Sequence, residues 1–307
     1  MAEKSNRTTA KHTTKEQDTS GTVRLNKFLA DSGICSRRAA DGIIADGRVL
    51  VNGKKVFELG IKVNPNEDRI TVDRKPIKPV HEKIYLMLHK PKNILTTMDD
   101  ELGRPTVAQY LGDISRRVFP VGRLDWDSEG LLLFTNDGEF ANKVMQPKND
   151  ITKTYLVKVD GQPDDKNLNR LRLGVSIPGG RVRAVHVEKI SRKEGSKQYG
   201  WVKIVINEGK NRQIRFMFEK IGYDVLKLQR IAIGQLKLGK LDRGELTYLD
   251  EMDLKKVFVK DLPVDTRPKL NAKPKTAKPV PGKHVGKRAF KATHKQNRDF
   301  NKLFNEK

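Results

Sequence analysis

The sequence predicts an α+β fold built on a mixed, mostly antiparallel sheet, preceded by a small helix-and-hairpin module and followed by a basic tail. Three observations predict it. Segments patterned as strands, "KIYLMLHKP" (Lys83–Pro91), "WVKIVIN" (Trp201–Asn207) and "VLKLQRIAIGQLKLG" (Val225–Gly239), are interrupted by fewer helices and show no regular strand-helix-strand repeat. Two short helical runs followed by alternating hairpins stand ahead of them as a compact unit. Positive charge is concentrated at the C-terminal end, where no apolar pattern survives. At 307 residues the chain is long enough for one large domain with a small companion.

The elements follow in chain order. Residues 1–21 are polar and nearly neutral, and are expected to be a disordered leader. Residues 22–80 form the small module. Leu25, Phe28 and Leu29 recur at helical spacing and stop at Gly33, and Ser36 then caps a second helix carrying Ala39, Ala40, Ile43 and Ile44 that stops at Gly47. "RVLVNGKKV" alternates into a hairpin turning at Asn52-Gly53, and "DRITVDRKPI" supplies a second strand pair. Arg37 and Arg38 stand at the start of the second helix, where the helix dipole repels cations. Helix stability is therefore a poor reason for them and phosphate binding a better one, against the plain alternative of a solvated helix face.

Residues 83–262 form the larger domain. Within it, "VGRLDWDSEGLLLFTNDG" (Val121–Gly138) sets an Arg-Leu-Asp ahead of four consecutive apolar residues, Leu131–Phe134, which read as a buried strand running into a turn at Asn136-Asp137-Gly138. "NRQIRFMFEKIG" (Asn211–Gly222) reads as an amphipathic helix closing on Gly222. The chemistry open to this domain is a carboxylate beside an arginine: Asp125 of "GRLD" with Arg212 or Arg215. An opposite charge within a few ångströms lowers an Asp pKa by about 1–3 and keeps it ionised, fit to act as nucleophile or base. An ordinary structural ion pair is the competing reading, and spacing alone leaves Asp127, Glu129 and Asp137 open as the working carboxylate. Trp126 and Phe134 read as core.

Composition narrows the partners. A formal charge of +24 and a pI near 10.0 point to a polyanion, RNA or DNA ahead of a membrane surface. Between Val264 and Lys307 stand 13 Lys and Arg against 3 Asp and Glu, so residues 263–307 are expected to be a disordered basic tail without a core. The one cysteine, Cys35, excludes an intramolecular disulfide, and no Cys/His cluster has zinc spacing. No P-loop, dinucleotide fingerprint or H-E-x-x-H stands in the chain. No apolar leader or spanning run is present either. The expectation is a soluble cytoplasmic protein that uses no metal or other cofactor.

Two resemblances sharpen this. The order helix, Ser-Arg-Arg helix, "G-R-V-x-V-N-G" strand over Arg24–Ile77 resembles the alpha-L RNA-binding module of the ribosomal-protein-S-four type. "GRLDWDSEGLLLFTNDGEFANKVMQP", then "KTY", then "NEGKNRQIRFMFEKIG" and "VLKLQRIAIG", resembles the catalytic domain of ribosomal RNA pseudouridine synthases of the RsuA/RluB type. Together they cover Arg24 to Leu249. The resemblance implies that Asp125 is the catalytic aspartate, that Tyr155 stacks on the target base, that Arg215 pairs with the aspartate, and that Arg123 enters the RNA stack as the base leaves. Arg37, Arg38, Lys153 and Arg212 join Arg123 as expected RNA contacts. Two positions depart from the pattern: Asn93 stands where a glycine is expected, and Phe216 where a basic residue is common.

The implied reaction breaks the bond from ribose to uracil N1, turns the base and rejoins it through C5, which calls for a closed pocket and no redox agent, metal or nucleotide energy. The substrate implied is ribosomal RNA or a pre-ribosomal particle, with the wording of the motifs inclining to the large subunit, and a monomer is expected. The competing class is a non-catalytic ribosome-assembly factor, against which stands a carboxylate kept where phosphates would repel it. A small-subunit enzyme is the other alternative, and the N-terminal module disfavours one acting on transfer RNA.

Overall fold

The computed structural model describes residues 21–260, apart from 81, 113, 115 and 191–197. Save for Gly21, the leader expected over residues 1–21 lies outside the described residues, as does the tail expected over 263–307.

The small module begins with β1 (Val23–Arg24), α1 (Leu25–Asp31) and α2 (Arg37–Ala45). The Ser36 side chain accepts from the Ala39 N–H at 3.1 Å, as its cap position predicts. Strands β2 (Val49–Val51) and β3 (Lys54–Val56) form the hairpin, and Asn52 and Gly53 both take positive φ, as a two-residue turn matched to strand twist requires. After β4 (Lys62–Val63), which pairs with β1, come β5 (Ile70–Val72) and β6 (Lys75–Pro76), giving a sheet ordered β3-β2-β5-β6. Leu25, Phe28, Leu29, Ala40, Ile44, Val49 and Ile70 close its core, so the periodic apolar positions are the ones that bury. Arg37 and Arg38 are exposed at the start of α2.

The larger domain is one nine-stranded sheet. Its strands are β7 (Tyr85–Lys90), β8 (Phe119–Val121), β9 (Glu129–Thr135), β10 (Lys153–Asp160), β13 (His186–Lys189), β14 (Tyr199–Ile206), β15 (Val225–Ile233), β16 (Leu236–Lys237) and β17 (Leu246–Tyr248). A separate hairpin, β11 (Val175–Ile177) with β12 (Gly180–Val182), stands apart from it. The main order is β13-β14-β10-β15-β9-β7-β17, with β16 on β15 and β8 on β9. Every contact is antiparallel except β15 with β9. Helices α3 (Gly138–Met145), α4 (Asp165–Leu173), α5 (Gln213–Glu219) and α6 (Glu251–Val257) complete the domain.

The four apolar residues Leu131–Phe134 are explained by burial on both faces of the sheet. Leu132 and Phe134 pack with Leu86, Leu88, Val157 and the α4 and α5 residues Leu168 and Met217. Leu131 and Leu133 pack on the opposite face with Met87, the α3 residues Phe140 and Val144, and Val257 of α6. A central strand covered on both sides reads as continuous hydrophobicity rather than alternation. The expected turn at Asn136-Asp137-Gly138 is corrected to a helix start: Asp137 accepts from the N–H groups of Glu139 and Phe140 and caps α3, since Asx side chains serve turns and caps alike. Phe134 is fully buried, whereas Trp126 is 40% exposed, so the reading of Trp126 as core is corrected too. It lies on the loop between β8 and β9 rather than in the strand.

Candidate active site

The loop from Gly122 to Ser128 joins β8 to β9 and carries the Arg-Leu-Asp. It is held by the last residue of β7 and the segment after it. Lys90, with no exposed surface, donates from Nζ to the carbonyls of Pro91 at 2.9 Å, Ser128 at 3.0 Å and Asp125 at 3.2 Å. Burial pushes this ammonium down to about 8, while the carboxylates of Asp125 and Asp127 pull it back up. The Asn93 N–H donates to the Trp126 carbonyl at 2.7 Å, and Thr96 Oγ1 donates to the Leu124 carbonyl at 2.7 Å. The backbone around Asp125 is thus fixed by three side-chain or backbone donors from one short stretch. Asn93 takes a φ of 61°. That left-handed conformation is the reason a glycine is expected there, and asparagine is among the residues that tolerate it. Phe216, the other departure, packs against the core beside Met217.

Asp125 is half-buried and lines a cavity of about 510 Å³ together with Arg123, Lys153, Tyr155, Arg212 and Arg230. That is ample room for one nucleotide. Lys210 and Glu208 stand in the same wall, so cations outnumber carboxylates around it. Arg123 is exposed and Arg212 half-exposed, placing both toward solvent. Tyr155 on β10 is 9% exposed, and Lys153, two residues before it, donates to the Val144 carbonyl at 3.3 Å. Burial first, and then the nearby charge of Arg230, push Lys153 down to about 8.

The expected pairing of Arg215 with Asp125 is corrected. Arg215 lies 2.9 Å from Asp127 Oδ2, donates to the Val225 carbonyl at 3.0 Å, and does not line the cavity, while Arg212 approaches Asp127 at 3.8 Å. The reason is reach: Arg215 projects from the first turn of α5 onto the far end of the loop, where Asp127 stands. Among the described residues Asp125 has no ion pair. The other carboxylates left open by spacing are committed elsewhere: Glu129, 3% exposed, is met by Lys227 at 2.7 Å and Arg243 at 3.4 Å, and Asp137 caps α3 and accepts from the Tyr85 hydroxyl at 2.9 Å.

Arg230 is the site residue that sequence reasoning missed. It is 5% exposed on β15, opposite Tyr155 in the register, and its Nε donates to the Leu131 carbonyl at 2.7 Å. A register shift between Thr154 and Tyr155 leaves Ile231 as an extra residue, a bulge of the kind that re-aims side chains beside active sites. The signal was there to be read: in "LKLQRIAI" a charged residue keeps the phase of buried Leu228 and Ala232. β15 comes close to β9 because Gly130, at φ 113°, has no side chain; a Cβ there would lie 2.2 Å from the Arg230 carbonyl oxygen.

The comparisons with known proteins agree on the family. The RNA pseudouridylate synthase family matches residues 84–220 and the S4 domain matches 23–69. An RNA pseudouridine synthase of Aquifex aeolicus is 42% identical over 237 residues, 77% of this chain and 94% of its own. The ribosomal large subunit pseudouridine synthase B of Bacillus subtilis is 41% identical, covering 76% of this chain and 95% of its own. The dual-specificity RNA pseudouridine synthase RluF of Escherichia coli K12 is 38% identical over 83% of this chain and 86% of its own. The crystal structure of a pseudouridylate synthase matches with a TM-score of 0.55 at 27% identity, covering 76% of this chain and 99% of that one. The chain belongs to the RNA pseudouridine synthase family, with an S4 domain ahead of its catalytic domain.

Proposed function

We propose that this protein isomerises a specific uridine of large-subunit ribosomal RNA to pseudouridine, with Asp125 as the catalytic carboxylate. The observation that carries the reading is the placement of Asp125 and Tyr155 in one nucleotide-sized, cation-rich cavity, in a chain of this family. The target uridine leaves its stack at a cost of a few kcal/mol, smaller in an RNA loop than in a duplex. Stacking on Tyr155 returns about 1–3 kcal/mol, and Arg123, at the mouth, occupies the gap left behind. Lys153 and Arg212 add positive charge toward the substrate. Arg215 serves as a positioning residue: through Asp127 it holds a side chain of the loop whose backbone Lys90, Asn93 and Thr96 hold, so that Asp125 meets the ribose in one orientation. Arg37 and Arg38, exposed on the S4 domain, dock structured RNA.

The reaction is set in the cytoplasm, on ribosomal RNA or an assembling particle, with the protein acting as a monomer. The lean to the large subunit is supported by the Bacillus subtilis relative, whose name states that subunit. The test is to map pseudouridines in ribosomal RNA from cells with and without this protein, and then to convert the missing site in a purified fragment. One large-subunit pseudouridine that vanishes with the gene and returns with purified protein is the expected result. An unchanged map, or complementation by Asp125→Asn, would leave the assembly-factor reading in its place.

A further inference from the structure

Arg230 is a guanidinium enclosed in the floor of the active-site cavity, 5% exposed, and its Nη2 has no hydrogen-bond partner among the described residues. No carboxylate of the described residues pairs with it. Leaving a buried, charged N–H unmade is among the more expensive arrangements a fold can hold, so such groups point to a ligand that completes them. The Arg230 Nε bridges β15 to the Leu131 carbonyl of β9, and that structural contact leaves Nη2 unused.

Depth decides which part of an RNA reaches it. Phosphates of a flipped nucleotide stay at the mouth, where exposed Arg123 and half-exposed Arg212 stand. The base goes to the floor, beside Tyr155, which faces Arg230 across the β10–β15 register. We propose that Arg230 donates to a carbonyl oxygen of the flipped uracil and is a catalytic residue that holds the negative charge the base acquires when its bond to the ribose breaks. This rests on the function proposed above and names a group that carries the base half of the reaction.

The electron count is consistent. When the C1′–N1 bond breaks, its pair stays with the base, which becomes an anion delocalised over N1, O2 and O4. The sugar carbon is met by Asp125, through a C1′–O bond that breaks again when C5 attacks, or is relieved by loss of the C2′ proton to Asp125, which returns it to C2′ as the C5–C1′ bond forms. When C5 attacks C1′ the pair returns to a carbon–carbon bond, C5 gives up its proton and N1 gains one, so substrate and product have the same atoms and charge. A preorganised cation at the carbonyl costs no reorganisation at that moment. Lys153 reinforces the case: it sits close enough to Arg230 for their repulsion to register, and an arriving base anion relieves both.

The experiment uses full-length protein and a ribosomal RNA fragment carrying the mapped uridine. Arg230→Met and Arg230→Lys are compared with the parent by thermal midpoint, RNA affinity with its salt dependence, and single-turnover rate at saturating enzyme. Arg230→Met is expected to lose at least about 100-fold in rate, with affinity within about threefold and an unchanged salt slope. Arg230→Lys, which keeps the charge, is expected to lose less. On RNA with 5-fluorouridine at the target, whose detached anion is more stable, the deficit in glycosidic cleavage should shrink for both. Should Arg230→Met fail to fold, the fluorouridine dependence of Arg230→Lys carries the test alone. An unchanged rate overturns the inference, as does intact turnover with weaker binding and a slope shallower by about 0.7, which marks a phosphate contact instead. A parent that converts no uridine defeats the proposed function itself and not merely this assignment.

Discussion

Arg215 Nη2 stands 2.9 Å from Asp127 Oδ2, so the arginine of "NRQIR" grips the carboxylate two residues beyond Asp125 rather than Asp125 itself. The contact is shielded on the arginine side only: the Arg215 side chain is 13% exposed against 43% for Asp127. It clamps the loop that carries Asp125.

A clamp predicts coupling. Arg215→Ala is expected to slow single-turnover conversion by at least about 100-fold, a 1 Å misplacement being enough for that. Asp127→Asn should reproduce much of the loss, and the double variant should be little worse than Arg215→Ala alone. Additive losses would show that the two act separately.

Asp125→Asn keeps size and removes the charge and the nucleophilic or basic oxygen. Conversion should fall by at least about 10⁴-fold, about 5.5 kcal/mol of transition-state stabilisation. RNA affinity should hold or rise, since a negative charge near phosphates is gone. A variant rate near the parent's would move the assignment to another carboxylate.

Two aromatic residues eight apart in sequence should answer differently to truncation. Phe134→Ala opens a cavity between Leu86, Leu132 and Val157 and should cost about 3–5 kcal/mol of stability. Trp126→Ala, on an exposed loop, should change stability by no more than about 0.5 kcal/mol. Denaturant melts with unchanged slopes check both.

Lys153 sets a stability effect with a defined sign. Its folded pKa of about 8 lies below the ordinary lysine value of about 10.4, so between these the unfolded chain holds more protons and stability rises with pH. Below pH 8 the buried charge is present in full and costs stability; above about 10.4 the cost is gone. Lys153→Met removes it at every pH, so its advantage over the parent should shrink by on the order of 2 kcal/mol from pH 7 to pH 10. Tyr85, pushed up to about 12 chiefly by burial and then by its bond to Asp137, contributes the opposite slope above pH 10. Comparing parent with variant cancels it. A gap that stays constant with pH refutes the shift.

Arg37 and Arg38 are exposed at a helix start and away from the cavity. Replacing both with Ala should weaken binding to structured ribosomal RNA and make its salt dependence shallower, by up to about 0.9 in slope per lost phosphate contact. Turnover of RNA already bound should be unchanged. A collapse of the single-turnover rate at constant affinity would place them in the chemistry.

The small module was legible nearly residue by residue, because its caps, left-handed glycines and two-residue turn are local rules acting over a few positions. The mixed sheet was legible as a class. The start of α3 was not, because Asp137 has the same chemistry in a turn and in a cap. At the site, "GRLD" and "KTY" named Asp125 and Tyr155, which the fold brings to one cavity. The Arg215 partner was missed because choosing between Asp125 and Asp127 depends on where α5 meets a loop 88 residues away. Arg230 was missed because a charge within an apolar strand reads as an exposed position, although its alternation with Leu228 places it on the buried face.

The parallel contact between β9 and β15 joins Gln229 to Glu129 and Arg230 to Gly130, positions one hundred residues apart in the chain. Contacts of such sequence separation form late, since loop entropy must be lost before they give anything back. The antiparallel pairs of β7 with β9 and of β10 with β14 span shorter stretches of chain and can form earlier, but neither alone brings the loop of Asp125 to the residues of β15. The full site is therefore complete only once this long-range contact of the chain has closed. On the function proposed above, a copy that has not yet made this contact is expected to convert no uridine, even where its S4 domain is already folded.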